Sequence, residues 1–356
     1  MTTYRSLPPL SITRDLAGRR CLTLWAGIRA QVPLRLTAYN LTIIALIVTL
    51  GIWAMTRGDY PLTPTQVVQA IFGEGTKLGI YFVTEVRAPR IIAALLVGAA
   101  LGLSGSIFQT ISGNALGSPD IIGFTYGAAT GALISIIAFN AGPTGIAVGA
   151  VTGGLAISLL VYLLTRHTGL QGFRLVLIGI GVGSTLSAVN SLLVVRASLT
   201  QAQTAASWLA GSLNTMNWAK TGSLALALLI LLPLLLAIAR PLTSLRFGDA
   251  VSAGLGVRVS SLRIGSLFIG VLLVSLATAT TGPLAFVALA APHIAKTITR
   301  ASGTALGSSA LTGALLVLSS DLIGQYALPT TLQVGVVTGA LGGIYLIYLI
   351  ATERKN

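Results

Sequence analysis

Long apolar runs alternate with short polar breaks along nearly the whole chain. A helix needs roughly 20 apolar residues to cross a hydrocarbon layer of ~30 Å at ~1.5 Å rise per residue. Ten segments fit: 37–56, 88–109, 120–139, 145–165, 174–195, 220–239, 263–281, 284–300, 307–326 and 331–351. The eighth is short for a full crossing. Residues 1–36 show no such run and read as a partly disordered basic tail, with a surface helix near Leu22 to Ile28. Residues 352–356 form a second short tail, and no boundary marks a further domain.

Three of the breaks carry pattern of their own. "PLTPTQVVQAIFG" places Thr63 as a helix N-cap, Pro64 at the first helical position and Gly73 at the stop. "LTQAQTAASWLAGSLNTMNWA", Leu199 to Ala219, reads as an amphipathic helix lying at a membrane interface, where Trp208 and Trp218 would sit. "LRFGDAVSAGLGVRVSSLR", Leu245 to Arg263, is a charged, glycine-spotted stretch between two strongly apolar runs, within the loop 240–263.

Composition agrees with the membrane class. Of 356 residues 54% are apolar and 8% are Asp, Glu, Lys or Arg, against about 25% charged in a soluble domain. The 41 glycines suit helices that approach closely in lipid. The net charge of +14 does not point to nucleic acid, because its placement follows the loops. With the N-terminus inside, 16 Lys and Arg fall on the inner side and six outside: Arg57, Lys77, Arg87, Arg90, Arg196 and Lys220. That asymmetry predicts cytoplasmic termini and puts Leu245 to Arg263 in the cytoplasm. Cys21 is the one cysteine, which rules out an internal disulfide.

Several chemistries are missing. There is no phosphate-binding G-x-x-x-x-G-K-[ST] loop, no H-E-x-x-H and no G-x-S-x-G. No cofactor or metal is expected. His167 and His293 are far apart in sequence, and His293, after Pro292, reads as a hydrogen-bonded packing residue. An ion-driven carrier keeps ionisable groups in mid-membrane. Asp321, four residues before Gln325, is taken as the one acidic candidate. Its preferred reading is structural, bonding the backbone of a neighbouring span, with a proton relay as the alternative.

Six blocks, in order along residues 45–351, resemble one family. They are "EVRAPRIIAALLVGAALGLSGSIFQ" (Glu85 to Gln109), "GSPDIIGFTYGAATGA" (Gly117 to Ala132), "WLAGSLNTMNWA" (Trp208 to Ala219), "GDAVSAGLGV" (Gly248 to Val257), "GPLAFVALAAPHIAK" (Gly282 to Lys296) and "LTGALLVLSSDLIGQYALPTTLQVGVVTGALGGIYLI" (Leu311 to Ile347). Together they resemble the FecCD-type permeases of ABC importers for iron–siderophores and vitamin B12. "FRLVLIGIGV" and "SLNTMNWAK" are most similar to the ferric-enterobactin branch, whose permeases work in unlike pairs.

The resemblance implies an all-α permease of the type II ABC importer fold in a bacterial cytoplasmic membrane, with about ten spans. Its partners would be a second homologous permease, two cytoplasmic ATPase subunits, an extracytoplasmic siderophore-binding protein and membrane lipid. The permease itself would not be an enzyme. The implied cargo is a ferric siderophore of the catecholate, enterobactin-like kind; heme, cobalamin or a hydroxamate siderophore are alternatives. An ion-coupled carrier using Asp321 and a non-transporting scaffold are readings from other classes. The path is expected to be largely apolar. By family position, Arg246, Gly248, Asp249, Gly254, Leu255, Gly256 and Val257 form the ATPase coupling loop. Arg87 and Arg90 match arginines that meet glutamates of the binding protein in the vitamin B12 branch. The third such position is Gln325 here. The family's Arg-Asn-Pro-Leu turn is Gly113, Asn114, Ala115, Leu116, so only Asn114 and Leu116 of it carry over.

Overall fold

The computed structural model describes residues 10–14, 20–24, 30–120, 122–165, 172–301 and 303–353. At the N-terminus three short strands, β1 (Leu10–Arg14), β2 (Arg20–Leu24) and β3 (Ala30–Pro33), pair antiparallel in the order β1-β2-β3, with Leu10 opposite Leu24. This corrects the surface helix expected near Leu22 to Ile28. Residues Leu22 to Leu24 lie in β2, where "LSITR" and "RCLTL" alternate with the two-residue period of a strand. The rest of that expectation, residues 25–29, is outside the described residues, as are His167 and the tail at 354–356.

The remainder is helical. In chain order come α1 (Leu34–Thr56), α2 (Pro64–Ile71), α3 (Lys77–Tyr81), a π-helical turn (Phe82–Arg87), α4 (Ala88–Ser112), α5 (Phe124–Ile137), α6 (Pro143–Thr165) and α7 (Gly172–Arg196). Then follow α8 (Leu199–Leu209), α9 (Trp218–Ser244), a 3₁₀ turn (Leu245–Phe247), α10 (Asp249–Gly254), α11 (Val259–Thr281), α12 (Val287–Thr299), α13 (Leu306–Tyr326) and α14 (Val334–Glu353). Among the described residues seven helical stretches are long and apolar enough to cross a membrane. Helices α5, α12 and α14 are the counterparts of the other three expected spans.

Local signals explain several ends. Thr63 and Gln66 form a reciprocal capping box at α2, as the sequence predicts. Gly113 ends α4 in the left-handed conformation, and Asn114 then accepts the Leu116 amide at 2.9 Å to hold the turn. The long amphipathic helix expected over Leu199 to Ala219 is corrected. It stops at Leu209 because the chain turns at Gly211 (φ 68°), and Asn217 caps α9 anew. Trp208 packs beside Ala128, Ala132 and Ala150 instead of facing an interface.

Helix α4 is the centre of the bundle. Its partner α13 runs antiparallel to it with backbones in contact: a Cβ on Gly102 would stand 2.1 Å from the Ser309 carbonyl oxygen. In lipid such small-residue seams replace the hydrophobic drive between helices, because close packing is what association gains there. The seam also fixes depth. Gly105 meets Ala288, so α12 starts about 25 Å along α4 from its first residue. The Phe124 ring packs on Phe108 with centroids 5.2 Å apart, so α5 starts at similar depth. Both short helices therefore begin inside the bundle. The third expected span forms a helix of only 14 residues, about two-thirds of a crossing, and the eighth does not cross by itself.

Candidate functional site

At the end of the bundle where α4 begins and α13 finishes lies a polar cluster. Arg90 donates from Nε and Nη2 to the two Asp321 carboxylate oxygens at 2.9 and 2.7 Å. Gln325, one turn beyond Asp321, donates its side-chain Nε2 to Asp321 Oδ2 at 2.7 Å. Arg87 has other partners: its nitrogens donate to the Met55 and Tyr60 carbonyls at 2.5 and 2.6 Å, and its guanidinium lies over the Phe82 ring. It is 8% exposed. Thus Arg90, Asp321 and Gln325 come together, while Arg87 ties α4 to the α1–α2 connection. The expectation that Asp321 bonds a neighbouring backbone is corrected: its partner is an arginine side chain. A carboxylate already clamped by a fixed guanidinium leaves no place for a transported cation, which disfavours the carrier reading.

At the opposite end lies the loop singled out in the sequence. Asp249 is the first residue of α10, where a carboxylate complements the helix dipole, and its Oδ1 accepts from Arg263 Nη2 at 2.7 Å. Gly256 (φ 83°) makes the exit turn before Val257. Gly254, the last residue of α10, has open space around it. Val251 and Leu255, four residues apart on α10 and its C-cap, are 50% and 68% exposed, and Phe247 in the preceding 3₁₀ turn is 64% exposed, together an uncovered apolar stripe. Arg246 turns away from that stripe and donates to the Gly303 carbonyl at 2.7 Å and the Ala301 carbonyl at 3.4 Å.

Between the two ends, two adjoining cavities of about 750 and 540 Å³ share Asp120, Tyr126, Ser187 and Ala285. Helix α7 lines them with Ser184, Ser187, Asn190 and Ser191, a polar stripe at helical spacing. Asn190 is buried and its Oδ1 accepts from Thr130 at 2.7 Å. The wall is therefore more polar than expected, although apolar groups still dominate it. Asp120 Oδ1 accepts from the Thr125 hydroxyl at 2.6 Å and Oδ2 from the Phe286 amide at 3.3 Å.

Sequence reasoning missed Asp120. It is the first residue of the third expected span, 120–139, and is passed over because Asp321 is taken as the one acidic candidate; the helix itself begins only at Phe124, inside the bundle. The signal was present: an acidic residue beside Pro119, opening an apolar run, in a chain with only eight acidic residues. His293 behaves as expected, bonding the Tyr345 hydroxyl and so joining α12 to α14. Among the described residues no group of three or more His, Cys, Asp or Glu is placed to hold a metal.

Among the described residues, seven helices long and apolar enough to cross a membrane and the three shorter helices α5, α12 and α14, two of them starting inside the bundle, define a multi-pass membrane permease. The chain belongs to the FecCD transport family, whose model matches residues 44–352. It is 43% identical to the ferric enterobactin transport system permease protein FepG of Escherichia coli (strain K12), over 90% of this chain and 98% of that protein. It is 34% identical to the achromobactin transport system permease protein CbrC of Dickeya dadantii (strain 3937), over 93% and 96%. A solved metal-chelate type ABC transporter in an inward-facing conformation superposes with a TM-score of 0.78 at 27% identity, covering 89% of this chain and 99% of that one. The fold is thus that of type II ABC importer permeases.

Proposed function

We propose that this chain is the permease subunit of a binding-protein-dependent ABC importer that carries a ferric siderophore of the catecholate, enterobactin-like kind. The observation that carries the reading is 43% identity to the E. coli ferric enterobactin permease across nearly all of both chains. ATP is hydrolysed on two separate cytoplasmic subunits. A second, homologous permease completes the path, and a siderophore-binding protein delivers cargo from outside. Both termini are cytoplasmic, in line with the inner excess of Lys and Arg.

The layout follows. Residues 1–36 and 352–356 are tails on the permease domain 37–351, and 240–263 is its coupling loop. The stripe Phe247, Val251, Leu255 seats in the ATPase, because a partner's apolar cleft would cover it. The end bearing Arg87, Arg90 and Gln325 receives the binding protein. The groove along α7 is one wall of the path; hydroxyls and an amide offer exchangeable hydrogen bonds to a cargo's oxygens without a deep binding site.

The test is ATP-dependent uptake of radioiron-loaded enterobactin into vesicles holding this chain with its second permease, ATPase and binding protein. Uptake that exceeds that of heme, cobalamin and a ferric hydroxamate supports the reading. Transport of one of those three in its place moves the assignment to that cargo. Docking is read separately, as affinity of the loaded binding protein for the purified permease pair. Arg90→Met together with Asp321→Leu, which removes the arginine without stranding its carboxylate partner, should weaken it at least tenfold, about 1.4 kcal/mol or more. Unchanged affinity would leave the docking surface elsewhere.

A further inference from the structure

Residues 282–286 are non-helical backbone inside the bundle. They run from the end of α11 to the start of α12, at the depth of the cavities. Backbone of this kind is tolerated at membrane depth only when its polar groups are satisfied by protein or by a water-filled cavity. Phe286 is the critical residue there. It holds a left-handed backbone (φ 68°) although it is not glycine, and it forms the N-cap of α12. Such a conformation persists only when its surroundings over-determine it. Here they do so twice. The Phe286 amide donates to Asp120, and α14 packs Gly342 so close that a Cβ there would stand 2.1 Å from the Phe286 Cβ.

The other end of α12 leads to the coupling loop. After Thr299 the chain turns through Arg300 (φ 50°), and Arg246 bonds the Ala301 and Gly303 carbonyls of that turn. Along its length α12 lies against α4: Gln109 Nε2 donates to the Leu289 carbonyl, and Lys296 Nζ to Gln109 Oε1. A 13-residue helix, about 20 Å long, therefore joins Arg246 at one end to Phe286 at the other. Beyond Phe286 stands Asp120, whose second oxygen holds Thr125 in the first turn of α5.

Resting on the importer reading above, we infer that Asp120 is a positioning residue for transport. It pins the mid-depth starts of α5 and α12 together at the cavity wall. Through α12 and Arg246 it makes the wall follow the coupling loop. What the joint needs from Asp120 is a hydrogen-bond acceptor, not a negative charge, because both of its partners are neutral donors.

The experiment measures cargo imported per ATP hydrolysed in the reconstituted importer. Asp120→Ala and Arg246→Ala should each lower that ratio about tenfold or more. Asp120→Asn keeps one acceptor oxygen for the Phe286 amide, its NH2 can donate to the Thr125 hydroxyl, and the variant should stay within about twofold of wild type. Since the two residues act in series, the double alanine variant should be no worse than the worse single one. A wild-type ratio in Asp120→Ala, loss in Asp120→Asn equal to that in Asp120→Ala, or multiplying losses in the double variant would each overturn the inference.

A second measurement covers the case in which Asp120→Ala does not assemble. Ala285 is exposed to the cavities, and a cysteine placed there with Cys21→Ser can be labelled by a thiol reagent. Its labelling rate should change on nucleotide binding with Arg246 present and should not change in Arg246→Ala. A change that survives Arg246→Ala overturns the inference. Failure of the wild-type importer to move any ferric siderophore counts against the importer reading instead.

Discussion

Asp120 and Asp321 show two ways of keeping a carboxylate inside a bundle with few charges. Asp120 is held by neutral donors, a hydroxyl and an amide. Asp321 is held by a guanidinium in two parallel bonds, with the side chains of Arg90 and Asp321 19% and 5% exposed. Removing one member of such a pair strands the other charge, which typically costs about 3–5 kcal/mol, whereas replacing both by apolar groups of similar volume is often near neutral. Arg90→Met or Asp321→Leu alone should therefore lower the thermal midpoint of the purified permease markedly, and the two together should recover most of the loss. Singles that each cost under ~1 kcal/mol would mean the pair does not hold α4 to α13. Gln325 stands out in the sequence by its family position, four residues after Asp321, as a docking residue. That it serves this carboxylate became visible once α13 was folded against α4, because no local signal names Arg90 as the partner across 231 residues.

At the scale of elements, capping chemistry was legible and depth was not. Thr63, Pro64 and Gln66 announce α2, and Gly248 followed by Asp249 announces α10, because each signal lies within one turn of the end it sets. The π-helical turn at Phe82–Arg87 and the break at Gly211 escaped, since tertiary packing decides them: the Gly211 carbonyl accepts from the Gly335 amide, and Gly211 sits against Pro283. An apolar run announces a helix, but apolarity is the same at the surface and the centre of a membrane, so the shortness of α5, 14 residues, and the inner start of α12 stayed hidden. Helix α10 also carries a prediction. With Val251 and Leu255 half or more exposed, Val251→Glu and Leu255→Glu leave the fold intact and bury a carboxylate in any ATPase cleft that takes the stripe. Co-purification of the ATPase should fall at least tenfold while the permease keeps its thermal midpoint; full co-purification would place the contact on another face.

Across the whole molecule, the apolar runs that become helices were legible because ~20-residue apolar runs separated by breakers allow little else, though among the described residues only seven of the ten are long enough to cross alone. The central cavity was not, because its wall is assembled from α5, α7, α14 and the 282–286 stretch, which are scattered in sequence. Orientation is the property where sequence and fold combine. The ten runs set both termini on one side, and the fold then sorts the rest: α2, α8 and the Arg90–Asp321 cluster gather at one end, α10 and the Arg300 turn at the other. Inner Lys and Arg outnumber outer ones 16 to six, so the α10 end should face the cytoplasm. Cysteines at two exposed places decide this in a Cys21→Ser background. Gly73, a left-handed residue (φ 81°) with open space around it, should tolerate Gly73→Cys at modest cost, and Leu255→Cys is 68% exposed. An impermeant thiol reagent added to spheroplasts should label Gly73→Cys at once and Leu255→Cys only after lysis. The reverse order would invert the molecule, placing the apolar stripe of α10 outside, where no ATPase could reach it, and would remove the importer reading together with the orientation.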